Sequence, residues 1–101
     1  MKDTRHVVVH FAGPNWKAGV PVFEQDGLQD HIAHFHKLFD EGKLVMGGPF
    51  LDGAAGALVG MMIPEAGPSE QEIAAFAQAD PAVASGLLRA EVRPWLVGMK
   101  K

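Results

Sequence analysis

Two helix starts fix the layout of this chain. Asp26 is followed three residues on by Gln29, and Ser69, directly after Pro68, is followed three residues on by Glu72. That spacing lets the first side chain accept from the third residue's backbone N–H while the third side chain reaches back, so each pattern marks where a helix opens. The first helix is predicted to run to Gly42, a residue suited to a left-handed cap, and the second to stop near Asp80. Between them lie two strand-like runs, residues 43–50 and 55–63, and one more lies at each end of the chain.

The first terminal run, residues 5–12, is rich in valine and alternates Val7, Val9 and Phe11 with His6, Val8 and His10. The last, residues 87–97, carries Arg89, Glu91, Arg93 and Trp95 on one side. Residues 13–25 read as a long loop whose Trp16 and Phe23 favour a segment that packs down. In the first helix Leu28, Ile32, Phe35, Leu38 and Phe39 form the buried stripe, and in the second Ile73, Phe76 and Ala77 face inward. Gly47, Gly48 and Pro49 mark a bulged or edge strand, since proline cannot donate to a ladder. Asp80, Pro81 and Gly86 outline one further helical turn, with Asp80 as its cap. The order strand, helix, strand, strand, helix, strand predicts an α+β, ferredoxin-like βαββαβ fold, a four-stranded antiparallel sheet with both helices on one face.

A length of 101 residues fits a single domain, 1–101, with one core. The run "GALVGMMI" is apolar at nearly every position, so both faces of its strand want cover and the helices supply only one. A homodimer packed through its bare sheet faces, a dimeric α/β barrel, resolves this, with His6 and His10 assigned to the shared face. Lys and Arg number 9 against 12 Asp and Glu, scattered, so no basic stripe awaits nucleic acid. No apolar run is long enough for a membrane span, and the charged N-terminal residues do not form a secretory leader. Cysteine is absent, which removes thiolate chemistry and Cys-ligated metal and fits a cytoplasmic setting.

The segment "DHIAHFH" gathers three of the five histidines at the start of the first helix. At about 100° per residue they do not converge. His31 lies on the shoulder of the apolar stripe, His34 farther round on the same side, and His36 on the opposite flank; His34 and His36 are expected in solvent. His31 and His34 are spaced to share a metal but lack a third ligand on their face, so no metal site is expected. His31 would sit partly buried near the positive end of a helix dipole, which disfavours the imidazolium. Because helices of this topology run antiparallel, the start of the first lies beside the end of the second, which is Asp80. That carboxylate either only caps the following turn or also holds one ring nitrogen of His31 so that the other can take or give a proton. The glycines of "GGPF" permit close approach of a ligand to the main chain, or serve an edge bulge alone.

The ordered set "L..EGKL..GGPF.D" (residues 38–52) and "DPAV.SGLL..EVRPW" (residues 80–95), preceded by a His opening a helix, resembles the YCII-related (YciI-like) domain family. The resemblance implies a ferredoxin-like fold, dimers built from facing sheets, and a site around the His and the Asp of Asp-Pro, carried onto His31 and Asp80. The few enzymes similar to it act on small cyclic compounds such as chlorinated muconolactones, by dehalogenating elimination. This chain has Ala82 and Val83 where a bulky aromatic usually follows Asp-Pro, and a longer 13–25 loop. The expectation is a homodimeric enzyme needing no cofactor, with His31 and Asp80 catalytic and Trp16, Gly47, Gly48 and Pro49 framing a pocket for a small organic acid or lactone. The rival expectation is a non-catalytic domain that binds a small ligand in the same pocket.

Overall fold

A computed structural model describes residues 2–101. Its elements are β1 (Asp3–Ala12), α1 (Leu28–Asp40), β2 (Leu44–Pro49), β3 (Leu58–Pro64), α2 (Glu70–Gln78), the single turn α3 (Pro81–Ala84) and β4 (Leu88–Val97). The four strands form one antiparallel sheet in the order β2-β3-β1-β4, an α+β arrangement consistent with the ferredoxin-like fold. β2 is an edge strand, as its Gly-Gly-Pro run predicts; its register shift falls between Leu44 and Met46, ahead of that run, and Gly47, Gly48 and Pro49 pair regularly with β3. Among the described residues no helix is long and apolar enough to cross a membrane.

Both helices lie on one face of the sheet. Phe35 and Leu38 from α1 and Ile73 and Ala77 from α2 close over Val8 and Leu44, with Met62, Ala90 and Val92 packed at the margin. Val8 pairs with Met62 on one side and Val92 on the other, which identifies the helix-covered face of each strand. By alternation His6, Val8 and His10 lie on that face, and Val7, Val9 and Phe11 lie on the open one. This reverses the expected placing of His6 and His10 on an outer, shared face. Alternation separates the two sets but does not say which the helices cover, and here the more apolar set faces away from the helices, with Val7 nonetheless buried.

The two helix starts differ from each other. Ser69 caps α2 as its sequence predicts, its hydroxyl accepting from Glu72 N at 3.1 Å. Asp26 does not cap α1: Gly27, at φ +89°, occupies the N-cap, and the Asp26 carboxylate instead meets Lys17 Nζ at 2.9 Å. The 13–25 loop is pinned by Gln25, a buried side chain that accepts from Lys17 N at 3.0 Å and donates to Lys17 O at 2.8 Å and Val20 O at 2.9 Å. A one-turn 3-10 helix at Val22–Glu24 leads into α1. The strand predicted from residue 55 begins later, because Ala54, Gly56 and Ala57 all have φ between +61° and +66°, left-handed backbone that interrupts the extended chain. Phe39, predicted inside the buried stripe, is 49% exposed and lies against the β2 edge.

Candidate functional site

Asp80 is fully buried where α2 gives way to α3. Its two oxygens are divided between two donors: Oδ1 accepts from Ala82 N at 2.9 Å, and Oδ2 meets His31 Nδ1 at 2.5 Å. The capping role and the histidine partnership therefore hold together. Burial pushes the Asp80 carboxyl up, but the hydrogen bonds from His31 and from the Ala82 N–H outweigh it and hold the group below its ordinary value. An ionised carboxylate only accepts, so His31 Nδ1 carries a proton and donates it to Asp80 Oδ2. The contact exists because α1 and α2 run in opposite senses: His31 meets Asp80, and one turn along α1 His34 meets Phe76.

His34 is not in solvent. Its ring stacks on Phe76 with centroids 4.0 Å apart, and Nε2 donates to the Phe76 carbonyl at 2.6 Å, so it ties the helices together and does not pair with His31. His36 is exposed, beside Asp40 at 3.8 Å.

The third member of the site comes from β1. His10 is 1% exposed, its ring set edge-on to His31 at 4.7 Å and to Phe35 at 5.3 Å. Its Nε2 has no hydrogen-bond partner and points at Asp80 Oδ2, 4.0 Å away. Burial, reinforced by the neighbouring His31 and opposed by Asp80, pushes the His10 imidazole down to about 4, so it is neutral near pH 7. Sequence reasoning put His10 on the wrong face. The available signal was that a polar ring recurs on the face of Val8, where a satisfied core would place another aliphatic residue.

His10 and His31 line one end of a cavity of about 90 Å³, otherwise walled by apolar side chains such as Val22, Phe23 and Ile32 and by the main chain of Gly48 and Pro49. Among the described residues no lysine or arginine lines it. Trp16 lines the adjoining cavity, of about 460 Å³, which shares Val22, Phe23 and Val59 with the first. Gly47 faces a third recess, under α1, where an added Cβ would stand 2.2 Å from the Met62 sulfur. Of the four residues expected around the pocket, Gly48 and Pro49 thus adjoin the histidines, and Trp16 and Gly47 do not.

The fold and this site define a class: small α+β domains in which the first helix brings a histidine to a buried carboxylate beneath a four-stranded sheet. The family model of the YCII-related domain matches residues 10–96, nearly the whole chain, and the protein belongs to that family. Among curated proteins and among solved structures, none matches closely enough to name a relative.

Proposed function

We propose that this protein is an enzyme that moves a proton on a small, weakly polar cyclic compound of the lactone class, with His31 as the base and Asp80 as the residue that positions it. The observation that carries the reading is the 2.5 Å contact from His31 Nδ1 to a buried, ionised Asp80 on a ring that also borders a cavity. Asp80 fixes the tautomer and compensates the imidazolium that forms, and Nε2 is free to take a proton from a carbon acid. In an elimination the C–H electron pair becomes the new double bond, the leaving group departs with its own pair, and the proton rests on His31. No other co-reactant is required. The apolar walls and the absence of a lining cation favour a neutral ring such as a lactone over a carboxylate. Gly48 and Pro49 would contact the substrate directly, and a longer substituent would extend toward Trp16.

A homodimer working in the cytoplasm is part of this reading. The helix-free face of the sheet carries Val9, Phe11 and Met61 beside Arg89, Glu91 and Arg93 of β4, and Trp95 on the same face is 44% exposed; its apolar members support a second copy as its cover. The catalytic claim is tested by screening small lactones and halogenated lactones with the wild type and His31→Ala. General-base removal predicts a loss on the order of 10² to 10⁴ in kcat/KM. Equal rates would take His31 out of the reaction, and tight binding with no turnover would favour a ligand-binding domain.

A further inference from the structure

His10, His31 and Asp80 are all buried, and each offers one possible metal-ligand atom within 4.8 Å of the others; Asp80 Oδ2 lies 2.5 Å from His31 Nδ1 and 4.0 Å from His10 Nε2. Two features of the cluster are not accounted for by the His31 and Asp80 partnership. His10 places an imidazole nitrogen beside a buried carboxylate without bonding to it, although a buried polar atom with no partner is destabilising and a phenyl ring would fill the same space without that penalty. The gap itself is the second. At 4.0 Å from Asp80 Oδ2, His10 Nε2 is too far for a hydrogen bond, so the two atoms face each other without a direct bond.

A tetrahedral ion suits these dimensions. With metal–ligand bonds of about 2.0–2.1 Å, neighbouring ligand atoms sit roughly 3.3 Å apart. The two edges that meet at Asp80 Oδ2, 2.5 and 4.0 Å, straddle that value, so sub-ångström shifts of the rings would equalise them. The second oxygen of Asp80 is already fixed by Ala82 N, which orients the carboxylate with Oδ2 toward both rings. His10 Nε2, which has no hydrogen-bond partner, presents a free lone pair when the ring proton sits on Nδ1.

We propose that His10, His31 and Asp80 form a binding site for a divalent transition-metal ion of the zinc type, through His10 Nε2, His31 Nδ1 and Asp80 Oδ2. Two imidazoles and one carboxylate are the borderline donors that zinc and cobalt take, and a set this poor in oxygen does not suit calcium or magnesium. Three protein ligands leave a fourth position, and the cavity bordered by His10 and His31 is where a water or a small anion would supply it. An ion here displaces the proton on His31 Nδ1, so the bound form and the proton-transfer form exclude each other.

The inference does not rest on catalysis, and its test needs no substrate. Chelator-treated protein is titrated with cobalt(II), and binding is followed by visible absorption. The expected result is one equivalent bound with the intense bands of a tetrahedral site, a loss of on the order of 100-fold or more in affinity in His10→Phe and in Asp80→Asn, and no change in His36→Ala. Phenylalanine at position 10 keeps the edge-on packing against Phe35, and circular dichroism confirms that the variant folds. Should it not fold, X-ray absorption on the zinc-loaded wild type reads the imidazole scattering directly, with two rings expected. Weak octahedral spectra, wild-type affinity in folded His10→Phe, binding lost in His36→Ala, or fewer than two imidazoles would each overturn the proposal. Any of these leaves the His31 and Asp80 reading intact, just as failure of the lactone screen leaves metal binding to be measured.

Discussion

Asp80 serves two donors, and its two oxygens allow the roles to be separated by substitution. Asparagine is as good an N-cap as aspartate, so Asp80→Asn keeps the bond from Ala82 N and the α3 turn. It removes the negative charge that compensates the His31 imidazolium and, by presenting an amide, frees the ring to adopt the other tautomer. The expected outcome is a folded protein, by circular dichroism, with turnover down on the order of 10² to 10⁴; unchanged turnover would leave Asp80 with the cap alone. His10 supplies a separate prediction for the metal-free protein. Facing His31, Asp80 and Phe35, it titrates near 4 when folded and near 6.5 when unfolded. The unfolded chain therefore binds the extra proton between those values, and stability falls as pH drops from about 6.5 toward 4, by about 3 kcal/mol at the lower end. Asp80, held below its ordinary value, adds a further loss only at still lower pH. Urea unfolding at pH 7 and pH 4.5 measures the first step. His10→Phe is expected to abolish it, and an equally steep decline in that variant would assign the effect elsewhere.

At the scale of elements, glycines set how closely β2 approaches β3 beside the cavity. A Cβ on Gly60 would lie 2.5 Å from the Gly48 carbonyl oxygen and 2.9 Å from Pro49 Cα, both backbone atoms that cannot turn aside. Gly60→Ala is therefore expected to cost about 1–3 kcal/mol in urea unfolding. Gly48→Ala, whose Cβ meets nothing within 4 Å, is expected to cost less than about 1 kcal/mol; equal costs would deny the close approach. These strands, both main helices and the Asp80 turn were legible in the sequence because periodicity, caps and breakers are local signals. Asp26 misled for a physical reason: the capping spacing was present, but Lys17 offered its carboxylate an ion pair and Gly27 could adopt the left-handed conformation. Gln25 and His34 were illegible for the opposite reason, since each is held by backbone carbonyls that the fold, not the local sequence, brings near. The Asp80 partnership was legible only through topology, as a consequence of antiparallel helices.

At the scale of the whole molecule, the helices cover the sheet face that bears the histidines, and the face carrying Val9 and Phe11 turns away from them. Val9 sits mid-strand on that face, between Met61 of β3 and Glu91 of β4. If a second copy covers it, the wild type sediments at twice the mass of one chain and Val9→Lys shifts it to the single-chain mass with unchanged circular dichroism. A wild type that is monomeric at every concentration would remove the dimer. How His31 and Asp80 hold their shared proton decides whether His31 can act as a base, and nitrogen NMR of the histidine rings in metal-free protein at neutral pH reads this directly. His31 is predicted to be locked with its proton on Nδ1 and Nε2 bare, and to lose that preference in Asp80→Asn. A His31 protonated on Nε2, or averaging freely between the two forms, would contradict it.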